Sequence, residues 1–303
     1  MHARETFTIR VPATTANLGS GFDCLGLALG LYNTIQVTPA QALELSVEGE
    51  GAATLPRHAG NRVVQAMQRA CEAMGHLLPP VRLRMRNAIP LARGLGSSAA
   101  AAVGGILAAS HWYGDLMSPD ELLRLATDLE GHPDNVAPAL LGGMCVVAVD
   151  DGKPLAVKID WPPALRCIVF VPDAPLATAK ARAVLPAMLS RADAVFNVGR
   201  AALWVAALTQ SRYGLLRMAT QDRIHQPYRA PLITGFDEVV AAALQAGAYG
   251  AFLSGAGSSI AAVTDQPPAP IAEAMRRAAQ AAGLPGGVLV LDGEPSGARI
   301  DDG

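Results

Sequence analysis

Pro90-Leu91-Ala92-Arg93-Gly94-Leu95-Gly96-Ser97-Ser98-Ala99-Ala100 passes from a proline-bearing loop through two glycines into a run of serine and alanine. The glycines let the backbone approach a ligand closely, and the Ser-Ser-Ala-Ala run behind them opens a helix. The first turn of a helix leaves N–H groups unpaired and carries the positive end of the helix dipole, so it holds a phosphate without any lysine. That property matters here. Lysine occurs only at 153, 158 and 180, while arginine supplies the other 21 of 24 basic residues. A serine hydroxyl in this loop can also ligate a magnesium ion bridging phosphates.

Rival readings of the same loop fail on the surrounding residues. A Walker A loop needs lysine followed by Ser or Thr, and none of the three lysines is so followed. The glycines do fit a dinucleotide-binding pattern with Asp115 as the acidic partner, but a proline loop separates them from the strand that ends near Arg86. Leu155-Ala156-Val157-Lys158 has the form of the protein-kinase strand lysine, yet no His-Arg-Asp or Asp-Phe-Gly accompanies it. The nucleophile elbow of the α/β-hydrolases is absent too. Residues 94–114 carry no charge for about the length of a membrane helix, but their Ala, Gly and Ser content is too weakly apolar for a span.

The chain has 303 residues, 51% hydrophobic and 17% charged, with a formal net charge of −2. Such a chain builds a real core, and its length suits two domains. No basic run marks a nucleic-acid surface. Cys24, Cys71, Cys145 and Cys167 form no C-x-x-C pair, which excludes a zinc ribbon, and the start MHARETFTIR has no apolar leader segment. A cytoplasmic protein is expected, with Cys24 and Cys145 as small buried fillers.

Periodicity predicts strands at 6–11, 34–37, 43–47 and 81–86, with Val81, Leu83 and Met85 facing inward and three arginines outward. Helices are predicted over 61–75 and from Ser97, and Ser118-Pro119-Asp120-Glu121 is a capping box opening a helix to about Glu130. A polar turn near Asp150–Lys153 suggests a boundary between domains 1–153 and 154–303. Beyond it come a strand at 166–171 and helices at 181–189, 194–208 and 237–245. Strands at 248–253, 260–264 and 287–291, with a helix at 270–282, complete an α+β chain.

Glu130-Gly131-His132-Pro133-Asp134-Asn135 concentrates polar groups just after the capped helix. Glu130 suits a hard oxygen ligand, and Asp134 suits the substrate side; a zinc site on His132 and Asp134 lacks a third protein ligand. Two further glycine segments, 13–23 and 253–259, are candidate loops of the same kind.

Taken together these motifs resemble the GHMP kinase superfamily and, within it, the homoserine kinases. The superfamily pattern P-x-x-x-G-L-G-S-S-A is met from Pro90 to Ala99, and P-A-T-x-A-N-L-G-x-G-F-D-x-L-G stands at Pro12 to Gly26. H-x-D-N-V-A-P-A stands at His132 to Ala139, A-R-x-x-L-P at Ala181 to Pro186 and D-x-I-x-x-P-Y-R at Asp222 to Arg229. G-A-G-S-S stands at Gly255 to Ser259 and G-A-R at Gly297 to Arg299. One departure is Lys180, where relatives commonly have an acidic residue.

The resemblance implies a two-domain GHMP kinase fold: an N-terminal domain like ribosomal protein S5 domain 2 and a C-terminal ferredoxin-like domain. It implies ATP and Mg2+, an L-homoserine acceptor and often a homodimer, with no nucleic acid or membrane partner. Carried over, Pro90, Gly94, Leu95, Gly96, Ser97 and Ser98 cradle the triphosphate, Ser98 and Glu130 hold Mg2+, and Asn61 lines the adenine pocket. Asn17, Asp23, His132, Asp134, Arg182 and Arg229 face the amino acid, with Asp134, Arg182 and Glu130 as the catalytic set. An ammonium group suits Asp23 or Asp134, and a carboxylate suits the forks of Arg182 and Arg229. Whether Asp134 takes a proton or only orients the hydroxyl is open at this point.

Overall fold

The structure is a computed structural model that describes residues 6–302, so the first half of the leader reading, on residues 1–5, lies outside it. Two sheets organise the chain. The first holds β1 (Phe7–Ala16), β2 (Leu25–Pro39), β3 (Glu44–Gly49), β4 (Val81–Asn87) and the hairpin β5 (Met144–Asp150)–β6 (Lys153–Ile159). The C-terminal strand, β11 (Arg299–Asp302), returns to its edge, giving the order β11-β1-β2-β4-β3 with the hairpin paired to the start of β2. Four helices accompany it: α1 (Arg62–Ala73), α2 (Ser97–Trp112), α3 (Pro119–Glu130) and α4 (Val136–Leu141).

The second sheet is β7 (Arg166–Pro172), β8 (Gly250–Leu253), β9 (Ile260–Thr264) and β10 (Gly286–Asp292), in the order β10-β7-β9-β8 with every pair antiparallel. Between β7 and β8 run α5 (Thr178–Ala183), α6 (Arg191–Thr209), α7 (Leu216–Ala219), α8 (Gln226–Arg229) and α9 (Phe236–Gln245); α10 (Pro268–Ala281) joins β9 to β10. Strand order and helix placement are those of a ferredoxin-like unit, as expected. The two layers share an apolar cluster, since Trp204, Phe252 and Val263 pack into the same core as Ile9 and Leu29.

Local signals explain most elements. On β4 the alternation is obeyed, with Val81, Leu83 and Met85 buried and the arginines exposed. The Ser118 side chain accepts the Glu121 N–H and the Glu121 carboxylate accepts the Ser118 N–H, which completes the predicted capping box of α3. The charge-free stretch 94–114 is a tightly packed helix. A Cβ on Gly105 would lie 2.3 Å from the Val63 carbonyl oxygen, so α1 and α2 touch backbone to backbone. Among the described residues no helix is long and apolar enough to cross a membrane.

Four expectations are corrected. β1 does not stop at Val11 but runs to Ala16, because a register shift between Pro12 and Ala13 absorbs the proline. β2 begins at Leu25, nine residues before the predicted start at 34, since Leu27 and Leu29 supply a buried face that a short alternation window misses. The helix expected over 181–189 is α5, ending at Ala183; Pro186 disfavours helix in the residue before it. The turn at 150–153 closes the β5–β6 hairpin, and the chain passes to the second sheet only between Ile159 and Arg166.

Candidate active site

The phosphate-type loop is held by the other two glycine segments. Gly94 and Gly96 have φ of +72° and +69°, a region that L side chains enter at a cost of about 1–2 kcal/mol. A Cβ on Gly94 would sit 2.1 Å from the Ser254 carbonyl oxygen, and one on Gly96 1.9 Å from Thr14 Oγ1. The Thr14 N–H donates to the Leu95 carbonyl (3.1 Å), and the Ser254 hydroxyl donates to the Gly94 carbonyl (2.6 Å). Behind this clamp α2 starts at Ser97 with no side-chain cap. The first N–H satisfied within the helix is that of Ala100, to the Gly96 carbonyl, so the N–H groups of 97–99 face outward for an anion.

Beside that terminus, the Ser98 hydroxyl donates to Glu130 Oε1 at 2.7 Å, and Arg62 Nη2 donates to the same oxygen at 2.7 Å. A hydroxyl and a carboxylate oxygen this close match adjacent corners of an octahedral magnesium shell, whose ligands lie about 2.0–2.1 Å from the ion. The donor set therefore fits a small hard cation.

A cavity of about 110 Å³ lies between the loop and the second layer. Its walls include Pro90, the Gly94–Ser98 segment, Glu130, His132, Asp134, Asn17, Asp23, Arg182 and Arg229. The structure thus brings together every residue expected at the site except Asn61. That residue lines a neighbouring cavity of about 260 Å³, walled mainly by apolar side chains such as Leu55, Met85 and Leu91, and Ser97 and Ser98 border both.

The charges around the first cavity are arranged differently from the separate contacts expected of Asp23 and Arg182. These two form a bidentate fork, Nη2 to Oδ1 at 2.8 Å and Nη1 to Oδ2 at 3.1 Å, and the bond to Asp23 raises the Arg182 pKa. Arg229 is held differently. It is 1% exposed, Nε donates to the Ala181 carbonyl at 3.0 Å, and among the described residues no carboxylate pairs with it. Burial pushes its pKa down to about 10. Nη1 reaches His225 Nδ1 at 3.2 Å and the Gly255 carbonyl at 3.3 Å. His225 is itself buried, and its Nε2 contacts the Gly19 carbonyl at 2.6 Å, so that nitrogen carries the proton and Nδ1 accepts from Arg229. The Phe22 ring lies beneath both guanidinium groups, 5.7 Å from Arg182 and 5.2 Å from Arg229.

Asp134 is buried, and its Oδ1 meets His132 Nδ1 at 2.6 Å and the Asn135 amide at 3.2 Å. The bond to Asp134 raises the His132 pKa. Thr14 Oγ1 donates to Asn135 Oδ1 at 2.7 Å, which aims the amide NH2 at the carboxylate. Asn17 has less freedom than expected of a ligand-binding residue. Its amide donates to the Gly255 carbonyl at 2.8 Å and accepts the Asp23 N–H at 3.0 Å, so it ties two loops together.

Sequence reasoning missed Arg62, Thr178, Asn135, Phe22 and His225 as members of the site. The last three lie inside the quoted motifs, whereas Arg62 and Thr178 carry no sequence signal. Cys145 is buried, its thiol pushed up to about 12 by desolvation, as expected of a filler; Cys24 is only partly buried.

Residues 61–143 match the GHMP kinases N terminal domain and residues 204–281 the GHMP kinases C terminal. A homoserine kinase of Desulfitobacterium hafniense is 43% identical over 293 residues, spanning 96% of this chain and 99% of its own. One from Synechocystis sp. is 46% identical over 270 residues, 88% of each chain. The crystal structure of a homoserine kinase from Cytophaga hutchinsonii matches with a TM-score of 0.89 at 31% identity, over 99% of this chain and 98% of that one. With both family domains matched and these relatives similar over nearly the whole chain, the chain belongs to the homoserine kinase family of the GHMP kinases.

Proposed function

We propose that this chain transfers the γ-phosphoryl group of ATP to the side-chain hydroxyl of L-homoserine, forming O-phospho-L-homoserine in the cytoplasmic synthesis of threonine. The observation that carries this reading is a single cavity in which an uncapped helix terminus meets both signs of charge needed by an amino-acid zwitterion.

Arg229 is the natural seat of the α-carboxylate, because a buried guanidinium with no anionic partner among the described residues gains most from one. The Asp23–Arg182 fork supports the other end of the zwitterion, Asp23 accepting the ammonium while Arg182 holds its carboxylate in place. Asp134, braced by His132 and Asn135, accepts a hydrogen bond from the hydroxyl and points it toward the loop. The N–H groups of 97–99 and the α2 dipole stabilise the charge on the transferred group. Phosphoryl transfer through a loose transition state needs such positioning and neutralisation more than covalent help. The apolar cavity that includes Asn61 takes the adenine ring. Ser98 and Glu130 would hold Mg2+, which neutralises phosphate charge when bound.

The test is ADP release with Mg-ATP against L-homoserine, mevalonate, shikimate, galactose and no acceptor. Acceleration by L-homoserine alone is expected. Activity confined to another alcohol would keep the phosphate loop and overturn the acceptor.

A further inference from the structure

Asn33 lies on β2, only 5% exposed, at the wall of the apolar cavity that borders Ser97 and Ser98. Its Oδ1 accepts two main-chain N–H groups, those of Ala88 at 2.9 Å and Ile89 at 3.0 Å. Main-chain N–H groups only donate, so chemistry fixes which end of the amide is oxygen. The NH2 end then faces away from the 88–89 turn, and it has no acceptor among the described residues. Nor is it sealed in the core. The side-chain polar atoms there that are both cut off from solvent and unpartnered are Arg10 Nε, Arg62 Nε and Ser259 Oγ. Asn33 Nδ2 is therefore accessible, and the cavity is the space onto which it opens.

Of the other polar side chains of that cavity, Asn61, Asn87, Ser98 and the Nη2 of Arg62 are hydrogen-bonded. Asn61 donates to the Pro56 carbonyl at 2.8 Å and accepts the Val63 N–H at 3.0 Å, capping α1. Asn87 donates to the Glu50 carbonyl at 3.1 Å, and Arg62 is held by Glu130 and the Leu129 carbonyl. A lone NH2 in apolar surroundings is costly until something accepts its hydrogen bond. Of the parts of a nucleotide, the base is the one that fits apolar walls and still offers acceptors at its ring nitrogens.

We infer that Asn33 reads the nucleotide base, donating from Nδ2 to a ring nitrogen of adenine and so fixing the base in the cavity. Asn61, expected at the adenine pocket, lines the same cavity and also caps the start of α1. This inference rests on the reading that ATP is the phosphoryl donor and that its base enters the apolar cavity.

The experiment compares ATP with 1-deaza-, 3-deaza- and 7-deaza-ATP, each lacking one ring nitrogen, in wild type and in Asn33→Asp. The aspartate keeps an oxygen for the Ala88 and Ile89 N–H groups and removes the donor. One of the three analogues is expected to raise the nucleotide KM at least tenfold in wild type, with the homoserine KM unmoved. Asn33→Asp is expected to raise the ATP KM to a similar level and to show no further loss with that analogue. All three analogues behaving like ATP would overturn the inference, as would an analogue penalty that persists undiminished in Asn33→Asp. The wild-type series stands even where the variant folds poorly. No homoserine-dependent ADP release with ATP itself would overturn the functional reading first, which separates the two failures.

Discussion

Replacing Arg229 by Met separates a guanidinium kept for a ligand from one kept for the fold. The side chain is 1% exposed and forms no ion pair among the described residues, although it donates to the Ala181 and Gly255 carbonyls and to His225. Burying an unpaired charge costs several kcal/mol, and hydrogen bonds from a charged donor return about 1.5–3 kcal/mol each. These terms nearly cancel, so Arg229→Met is expected to change stability by no more than about 2 kcal/mol, against the 3–5 kcal/mol typical of breaking a buried ion pair. At about 2 °C per kcal/mol for a chain of this size, Tm should move by about 5 °C or less. Binding behaves differently. Losing one partner of a desolvated charge pair costs about 2–5 kcal/mol, or about 30- to 5,000-fold in the homoserine KM, with the ATP KM nearly constant. Thermal unfolding and coupled ADP release on the same preparation measure both quantities. Arg229→Lys, with the charge but not the fork, should fall between. A Tm drop beyond about 10 °C with the homoserine KM within about threefold would make Arg229 a strut of the α8–β8 region and move the carboxylate to Arg182.

Glu130→Gln should raise the Mg2+ concentration for half-maximal activity by about tenfold or more, read by titrating Mg2+ at fixed ATP; an unchanged demand would reduce Glu130 to a tether between Ser98 and Arg62. Gly96→Ala combines a φ of +69° with a Cβ 1.9 Å from Thr14 Oγ1, so it should raise the ATP KM and lower Tm. Adding Thr14→Ser does not remove that oxygen, whereas adding Thr14→Ala does, so only the latter should recover part of the loss in a Tm comparison. Burial lowers the His225 pKa, so the unfolded chain takes up a proton that the fold refuses, and stability falls as pH drops below about 6.5. His132 acts with the opposite sign. Its pKa is raised by Asp134, so its contribution is full below about 6.5 and fades as pH rises through the folded value. Tm measured between pH 5.5 and 8 should therefore lose part of its acid slope in His225→Gln and gain acid slope in His132→Asn; parallel curves would show that neither imidazole is coupled to folding.

Short-range chemistry was readable along the chain. The loop from Pro90 to Ala99 announces its task because glycine freedom and a helix start operate within ten consecutive residues, and the capping box of α3 is equally local. The arrangement of charge was not readable. Asp23 and Arg182, expected as separate contacts, are 159 positions apart and meet only because α5 carries Arg182 across to the first glycine segment. The turn at 150–153 looked like a boundary because a hairpin turn and a linker share their composition, and strand pairing alone tells them apart. Asn33 stood unmarked in a strand, since nothing local shows that the Ala88 and Ile89 N–H groups will claim its oxygen and turn its NH2 into a cavity. Backbone conformation and capping depend on neighbours a few residues apart, so the sequence spells them out. Desolvation and hydrogen-bond partnership depend on which distant groups fold against each other, and these decide whether a polar residue binds a ligand or ties a loop.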